Sequence, residues 1–302
     1  IGDSVCFGQP INFVNTSQTT STQITYLWNF GDFSIGSSLN SPSYTYAAAG
    51  NYFVTLSTIS PGPVGTLGCV DSLQLEFVVY PTPIASYSAN NVCKYDSVYF
   101  ENTTDTVIPN LTFNWDFDDG QFSNDYSIYH NFNSANNYTV SLDVSSDYGC
   151  SSSTSQIIEI YPVPNANFSF GNVCFGNTMD FFNTSTSINS LSYDWSFDDG
   201  TPNESSQDVT HLYGIADTFN VQLIINSVYN CSDSVNKNVI VHPLPNPNFV
   251  FNLACYGEST LFTDSSTIIS GSISSFLWNF DDLSNSIDQN PTHLYAMEDT
   301  YN

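Results

Sequence analysis

Phe113-Asn114-Trp115-Asp116-Phe117-Asp118-Asp119-Gly120 is the stretch from which the architecture is read. At a side-chain period of two, Phe113, Trp115 and Phe117 share one face of a strand, while Asn114, Asp116 and Asp118 share the other. The pattern returns along the chain. Tryptophans fall at 28, 115, 195 and 278, separated by 87, 80 and 83 residues. Pro-x-Pro pairs mark the same period as Tyr80-Pro81-Thr82-Pro83, Tyr161-Pro162-Val163-Pro164 and His242-Pro243-Leu244-Pro245, each 81 residues from the last. A length of 302 residues by itself argues for two domains. The repeat argues instead for three modules of about 80 residues and most of a fourth, bounded at or near 1–83, 84–164, 165–245 and 246–302.

Around each tryptophan the remaining segments also read as β. Tyr87, Phe168 or Phe249 stands four residues past a Pro-x-Pro, and Phe13, Phe100, Phe181 or Phe262 stands seven past the first cysteine of each module. A last strand alternates as Tyr138, Val140, Leu142, Val144 and again as Phe219, Val221, Leu223, Ile225. Polar residues between them give the signature of a half-buried antiparallel strand. No segment sustains a helical period. Short strands at regular spacing predict an all-β chain of tandem immunoglobulin-like sandwiches, strung into an extended rod by short proline linkers.

Composition narrows the function. The chain has 29 Asp plus Glu against two basic residues, Lys94 and Lys237, for a net charge of −27. Without cations to neutralise phosphates, nucleic-acid binding and docking on anionic membranes are excluded as roles. No apolar run reaches the roughly 18 residues needed to cross a bilayer, and Ile1-Gly2-Asp3-Ser4 does not open a signal peptide. So large a charge repels itself and calls for screening cations or a saline medium.

Seven cysteines punctuate the repeat. Their spacing predicts one disulfide within each module, Cys6–Cys69, Cys93–Cys150 and Cys174–Cys231, joining the second strand to the last. Cys255 is left to pair with a residue near position 312. Zinc is the competing reading, but no Cys-x-x-Cys or adjacent His completes a ligand set. Disulfides imply an oxidising compartment, outside the cytoplasm.

Trp115-Asp116-Phe117-Asp118-Asp119-Gly120 and Trp195-Ser196-Phe197-Asp198-Asp199-Gly200 resemble the Trp-Asp-Phe-Gly-Asp-Gly signature of the polycystic kidney disease (PKD) domain. Trp28-Asn29-Phe30-Gly31-Asp32-Phe33 and Trp278-Asn279-Phe280-Asp281-Asp282-Leu283 lose its final glycine. The family's Pro-x-His-x-Tyr and Gly-x-Tyr-x-Val-x-Leu are matched by Pro291-Thr292-His293-Leu294-Tyr295 and by Gly50-Asn51-Tyr52-Phe53-Val54-Thr55-Leu56. The wider style is similar to giant secreted proteins of Bacteroidota, with tandem PKD modules and few basic residues. That resemblance implies type IX export and a surface adhesin, including the gliding-motility kind.

Candidate chemistry concentrates after the tryptophans. Asp118-Asp119, Asp198-Asp199 and Asp281-Asp282, with Asp32 alone in the first module, set carboxylates at a turn. They read either as caps on backbone amides or as ligands for Ca²⁺, a hard cation that takes six to eight oxygens. His130, His211 and His293 lie eight residues before the aromatic that opens the last strand, where the first module has Tyr44. A place that accepts His or Tyr reads as packing plus a hydrogen bond. No Gly-x-Ser-x-Gly, His-Glu-x-x-His or phosphate loop occurs, so no enzyme is expected. Asn15, Asn102 and Asn183 open sequons at one shared position where the fourth module has Asp264, so an Asx turn is expected there. Asp-Ser-Val at 3–5, 96–98 and 233–235 resembles the Bacteroidota O-glycosylation sequon.

The residues therefore predict a non-catalytic structural or adhesive repeat region, the stalk or fibre body of a large cell-surface protein. Its partners would be an extracellular surface, a polymer or neighbouring copies of itself. The alternative is a set of spacer modules in a secreted protease or polysaccharide-degrading enzyme.

Overall fold

The computed structural model describes residues 4–18, 23–62 and 68–302. Asp3, which opens one of the Asp-Ser-Val triplets, lies outside them with Ile1 and Gly2. The chain divides into two compact units, Ile1–Pro162 and Val163–Asn302.

Each unit is built from β-sandwiches, and the second repeat shows the plan. One sheet runs in the order Phe122–Ser123, Thr112–Asp116, Asn137–Ser145, Ser151–Tyr161, Val92–Cys93. The other holds Ile128–His130, Val98–Asn102 and Tyr87–Ser88. The third repeat follows the same plan, with Leu191–Ser196, Thr218–Ser227, Ser232–His242 and Val173–Cys174 facing Phe168–Phe170, Met179–Asn183 and Val209–His211. The first repeat pairs Thr25–Asn29, Gly50–Ser60, Cys69–Tyr80 and Ser4–Cys6 in one sheet and Ile11–Asn12 with Ser43–Tyr44 in the other. These are tandem immunoglobulin-like folds, all-β as the alternation predicts.

The core is made by the period-two faces. Tyr138, Val140, Leu142 and Val144 are buried in one sandwich, and Phe219, Val221, Leu223 and Ile225 in the next. Their antiparallel partners, Ser151–Tyr161 and Ser232–His242, are polar over their first halves and apolar near their ends. That composition hides them from a search for apolar alternation. In the fourth repeat Phe249 is half-exposed, whereas its equivalents Tyr87 and Phe168 are buried. Tyr87 lies beneath a long hairpin and donates its hydroxyl to Val140 O at 2.7 Å. Residues 246–302 contain no such hairpin.

The cysteine pairing corrects the expectation. Cys6 is bonded to Cys150, with 5.6 Å between their Cα atoms and 144 residues between them in sequence. Cys93 and Cys231 are each disulfide-bonded cysteines too, and Cys69, Cys174 and Cys255 are free thiols. Cys6–Cys69, Cys93–Cys150 and Cys174–Cys231 are therefore not the bonds of this fold. The reason is strand register. The first cysteine of each repeat sits on a short strand that pairs parallel with the end of the last strand, as Cys6↔Tyr80, Cys93↔Tyr161 and Cys174↔His242. The second cysteine stands at the beginning of that same last strand, 11 residues earlier in each repeat. At about 3.3 Å per residue the two lie roughly 36 Å apart, at opposite ends of one sheet, far beyond disulfide reach. Spacing alone shows that two cysteines recur, not which end of the sandwich each occupies.

Candidate functional site: the aspartate turn and its aromatic pillar

The turn after each tryptophan strand is the feature that all four repeats share. Trp115 and Trp195 are fully buried, and their indole Nε1 groups donate to Asp125 O at 2.9 Å and Ser206 O at 3.0 Å. Past the buried Phe117 the backbone must reverse, and Asp118 takes φ = +61°. Asp198 and Asp281 do the same at +62° each, and Gly31 stands there in the first repeat at +78°. Asp is one of the few L-residues that enters this left-handed region at low cost. Its carboxylate adds a bond that glycine cannot make. Asp118 Oδ2 accepts from Thr139 N at 2.9 Å, Asp198 Oδ2 from Asn220 N at 3.0 Å and Asp281 Oδ2 from Asn302 N at 3.1 Å. At Gly31 the backbone of Phe53 fills that space, so a Cβ would lie 2.6 Å from Phe53 O.

The second aspartate has a different partner. Asp119 Oδ1 accepts from Gln121 N at 3.0 Å, which closes the turn, and Oδ2 lies 2.8 Å from His130 Nε2. His130 stacks flat on Phe117, with ring centroids 3.9 Å apart and planes 6° from parallel. The unit recurs as Asp199–His211 on Phe197 and as Asp282–His293 on Phe280, each with 2.7 Å between carboxylate and ring nitrogen. In the first repeat Tyr44 stacks on Phe30 at 3.8 Å and donates to Asp32 Oδ2 at 2.6 Å. Packing plus a hydrogen bond is thus what the His-or-Tyr place provides. Sequence reading missed that its partner is the aspartate of the turn, although the two features recur together in every repeat. At the shared sequon position Ser17, Thr104, Ser185 and Ser266 donate their amides to Asn15, Asn102, Asn183 and Asp264 at 2.9, 2.9, 3.0 and 3.0 Å, as an Asx turn requires.

The chemistry of this unit is that of a clamp. Asp116 Oδ1 also accepts from Asp118 N at 3.0 Å, so neighbouring carboxylates serve separate protein donors. Among the described residues no group of three or more His, Cys, Asp or Glu is placed to hold a metal ion. The fourth repeat brings Ser284, His293 and Asp282 together, yet both Ser284 Oγ and Asp282 Oδ2 address the same ring nitrogen, Nε2. A hydrolytic triad needs the serine on one nitrogen and the carboxylate on the other, and this arrangement lacks that division. At a net charge of −27, added NaCl is expected to raise the melting temperature by screening self-repulsion. CaCl₂ is expected to raise it no more than MgCl₂ of equal ionic strength, which a pair of melting series checks.

Protonation of the clamp gives a second prediction. Burial pushes the Asp199 carboxyl up, but hydrogen bonds from Thr201 and His211 outweigh it and leave the group below its ordinary value. Asp32 is held low in the same way, burial opposing the bonds from Ser34 and Tyr44. Bonds from Ser284 and His293 bring Asp282 from 3.8 down to about 2. Between those two values the unfolded chain binds more protons than the folded one, so stability rises with pH there. The Asp282 contribution is complete above 3.8 and is lost as pH falls through about 2. Asp199→Asn with Asp282→Asn is therefore expected to flatten the acid limb of stability, read by thermal melts from about pH 6 to about pH 2. An unaltered limb would assign acid sensitivity to other carboxylates.

Tandem immunoglobulin-like sandwiches, each closed by an aspartate turn clamped to an aromatic pillar, define a repeat protein whose recurring geometry lies within its sandwiches. A profile of the PKD domain matches residues 1–64, 80–160 and 162–242. The chain belongs to the PKD domain family. Similar solved structures include the PKD1 domain of Vibrio anguillarum Epp, 27% identical over 27% of this chain and 95% of that one, with a TM-score of 0.25. The three N-terminal domains of the bacteriophage RB49 Highly Immunogenic Outer Capsid protein are 14% identical over 70% and 80% of the two chains, with a TM-score of 0.34. Drosophila N-cadherin EC1-4 is 11% identical over 88% and 82%, with a TM-score of 0.26. No curated protein matches the sequence significantly. Among the described residues no helix is long and apolar enough to cross a membrane.

Proposed function

We propose that these repeats form the non-catalytic stalk or fibre body of a large exported cell-surface protein, an adhesin of the kind carried by Bacteroidota. One observation carries the reading: every repeat spends its distinctive residues on the same internal clamp, and among the described residues no repeat is singled out by a site of its own. A function repeated in this way belongs to the array, as spacing and mechanical continuity do. The Pro-x-Pro linkers support it, since proline fixes φ and restrains the residue before it. The disulfides support an oxidising, extracellular location. The resemblance of the repeat style to type IX-exported gliding-motility adhesins supports the finer assignment.

The test is the mass and the terminal peptides of the native polypeptide from the cell-surface fraction. A chain of several hundred kilodaltons, mostly repeats and ending in a sorting domain, is the expected result. Flanking peptides that carry a hydrolase motif would make the repeats an enzyme's spacer and would refute the adhesin reading.

A further inference from the structure

From the Cys6–Cys150 bond we infer a covalent ladder: the first cysteine of each repeat bonds the second cysteine of the next, and Cys69 and Cys174 are rungs awaiting neighbouring repeats. Three observations carry this. The bond joins the first repeat to the second, not the two ends of one sandwich. Exposure follows the same rule, because the bonded second cysteine Cys150 is buried while the free Cys69, at the equivalent place, is exposed. An aromatic stack flanks the rung, since Tyr80, the register partner of Cys6, lies flat on Tyr148 with ring centroids 4.0 Å apart and planes at 6°. Tyr161 and Tyr229 occupy the same two positions one repeat on. By this rule Cys174 bonds the second cysteine of the repeat that follows the third, and Cys69 bonds the first cysteine of a repeat that precedes the first.

Each rung forms as two thiols lose two protons and two electrons. The electrons pass through a mixed disulfide to the disulfide of a thiol oxidoreductase in the export compartment, which is reduced to its dithiol.

The consequence is mechanical. Under tension the backbone between Cys6 and Cys150 is bypassed by their disulfide, which removes a separation of 144 residues from the load path. Load then runs from Cys150 to Cys174, 24 positions along the strand Ser151–Tyr161 and its proline linker, before the next rung takes it up. Fully extended, that stretch reaches about 80 Å, against about 550 Å for two unbolted repeats of 81 residues. Such an array barely lengthens even when every sandwich unfolds. This holds whether the repeats serve an adhesin or an enzyme, so it stands or falls apart from the function proposed above.

Two measurements test it. In the Cys93→Ser/Cys231→Ser chain pulled by its termini, oxidation is expected to shorten the fully extended length by about 490 Å relative to the same molecule in dithiothreitol, as a 144-residue bypass requires. A shortening of about 210 Å, the value for a Cys6–Cys69 bond, or no shortening, overturns the ladder. Non-reducing peptide mapping keeps the idea falsifiable should that variant misfold. In the unaltered chain a linked Cys6–Cys150 peptide is expected, and Cys93 and Cys231 are each expected in disulfide-linked peptides. In the native polypeptide Cys69 and Cys174 are expected to resist alkylation until reduced, and free thiols at either place would overturn the continuation.

Discussion

Trp195→Ala is expected to destabilise the third sandwich by about 4 kcal/mol, a large-to-small loss at a well-packed site. The indole is fully buried. It meets Phe168 edge-on at 5.1 Å and Phe181 at 5.8 Å, and its Nε1 hydrogen bond to Ser206 O is lost with it. Because a domain of this size holds about 5–15 kcal/mol in all, a large share of the margin goes. Calorimetry should show one transition moving down while the others stay. The matched control is Trp278→Ala, where the equivalent indole is only half-buried. A loss nearer 1 kcal/mol is expected there. Equal losses at 195 and 278 would mean that burial is not what makes this tryptophan the keystone.

The second large effect belongs to the disulfide. Closing a loop of 144 residues is worth about 5 kcal/mol in the chain-entropy model. Cys6→Ser, Cys150→Ser and the double substitution are expected to cost the same amount, since each removes one shared bond. Chemical denaturation, with and without reductant, checks this. In a Cys93→Ser/Cys231→Ser background, which leaves Cys6–Cys150 as the bond being read, reductant should bring the chain down to the Cys6 and Cys150 variants and leave those variants unmoved. Additive losses from the two single changes would show that the thiols matter for packing and not for the link.

How far these features were legible differs from residue to residue, for physical reasons. Trp115, Phe117 and the run Tyr138–Val144 declare their burial because a strand alternates strictly and an apolar face must be covered. The Asx turns at Asn15, Asn102, Asn183 and Asp264 were equally legible, being local bonds between residues two apart. The strand Ser151–Tyr161 was not. Its first half is serine and threonine on an open face, and only its pairing with Asn137–Ser145 makes it a strand. The clamp lay between these cases. Asp119 and His130 were each singled out, but a bond across 11 residues and two sheets appears only once the turn has reversed the chain over Phe117.

Local regularity, then, is what the order of residues determined by itself: the period near 80, the all-β class, the core faces and the turns. Each rests on interactions between near neighbours or on the geometry of a single strand. Tertiary structure alone decided who meets whom over long distances. It brought His130 to Asp119, and it joined Cys6 to Cys150 when spacing had argued for Cys69. The physical reason is the parallel pairing of Ser4–Cys6 with the end of Cys69–Tyr80. That register carries the two cysteines of one repeat to opposite ends of its sheet and turns a staple within a domain into a bolt between two.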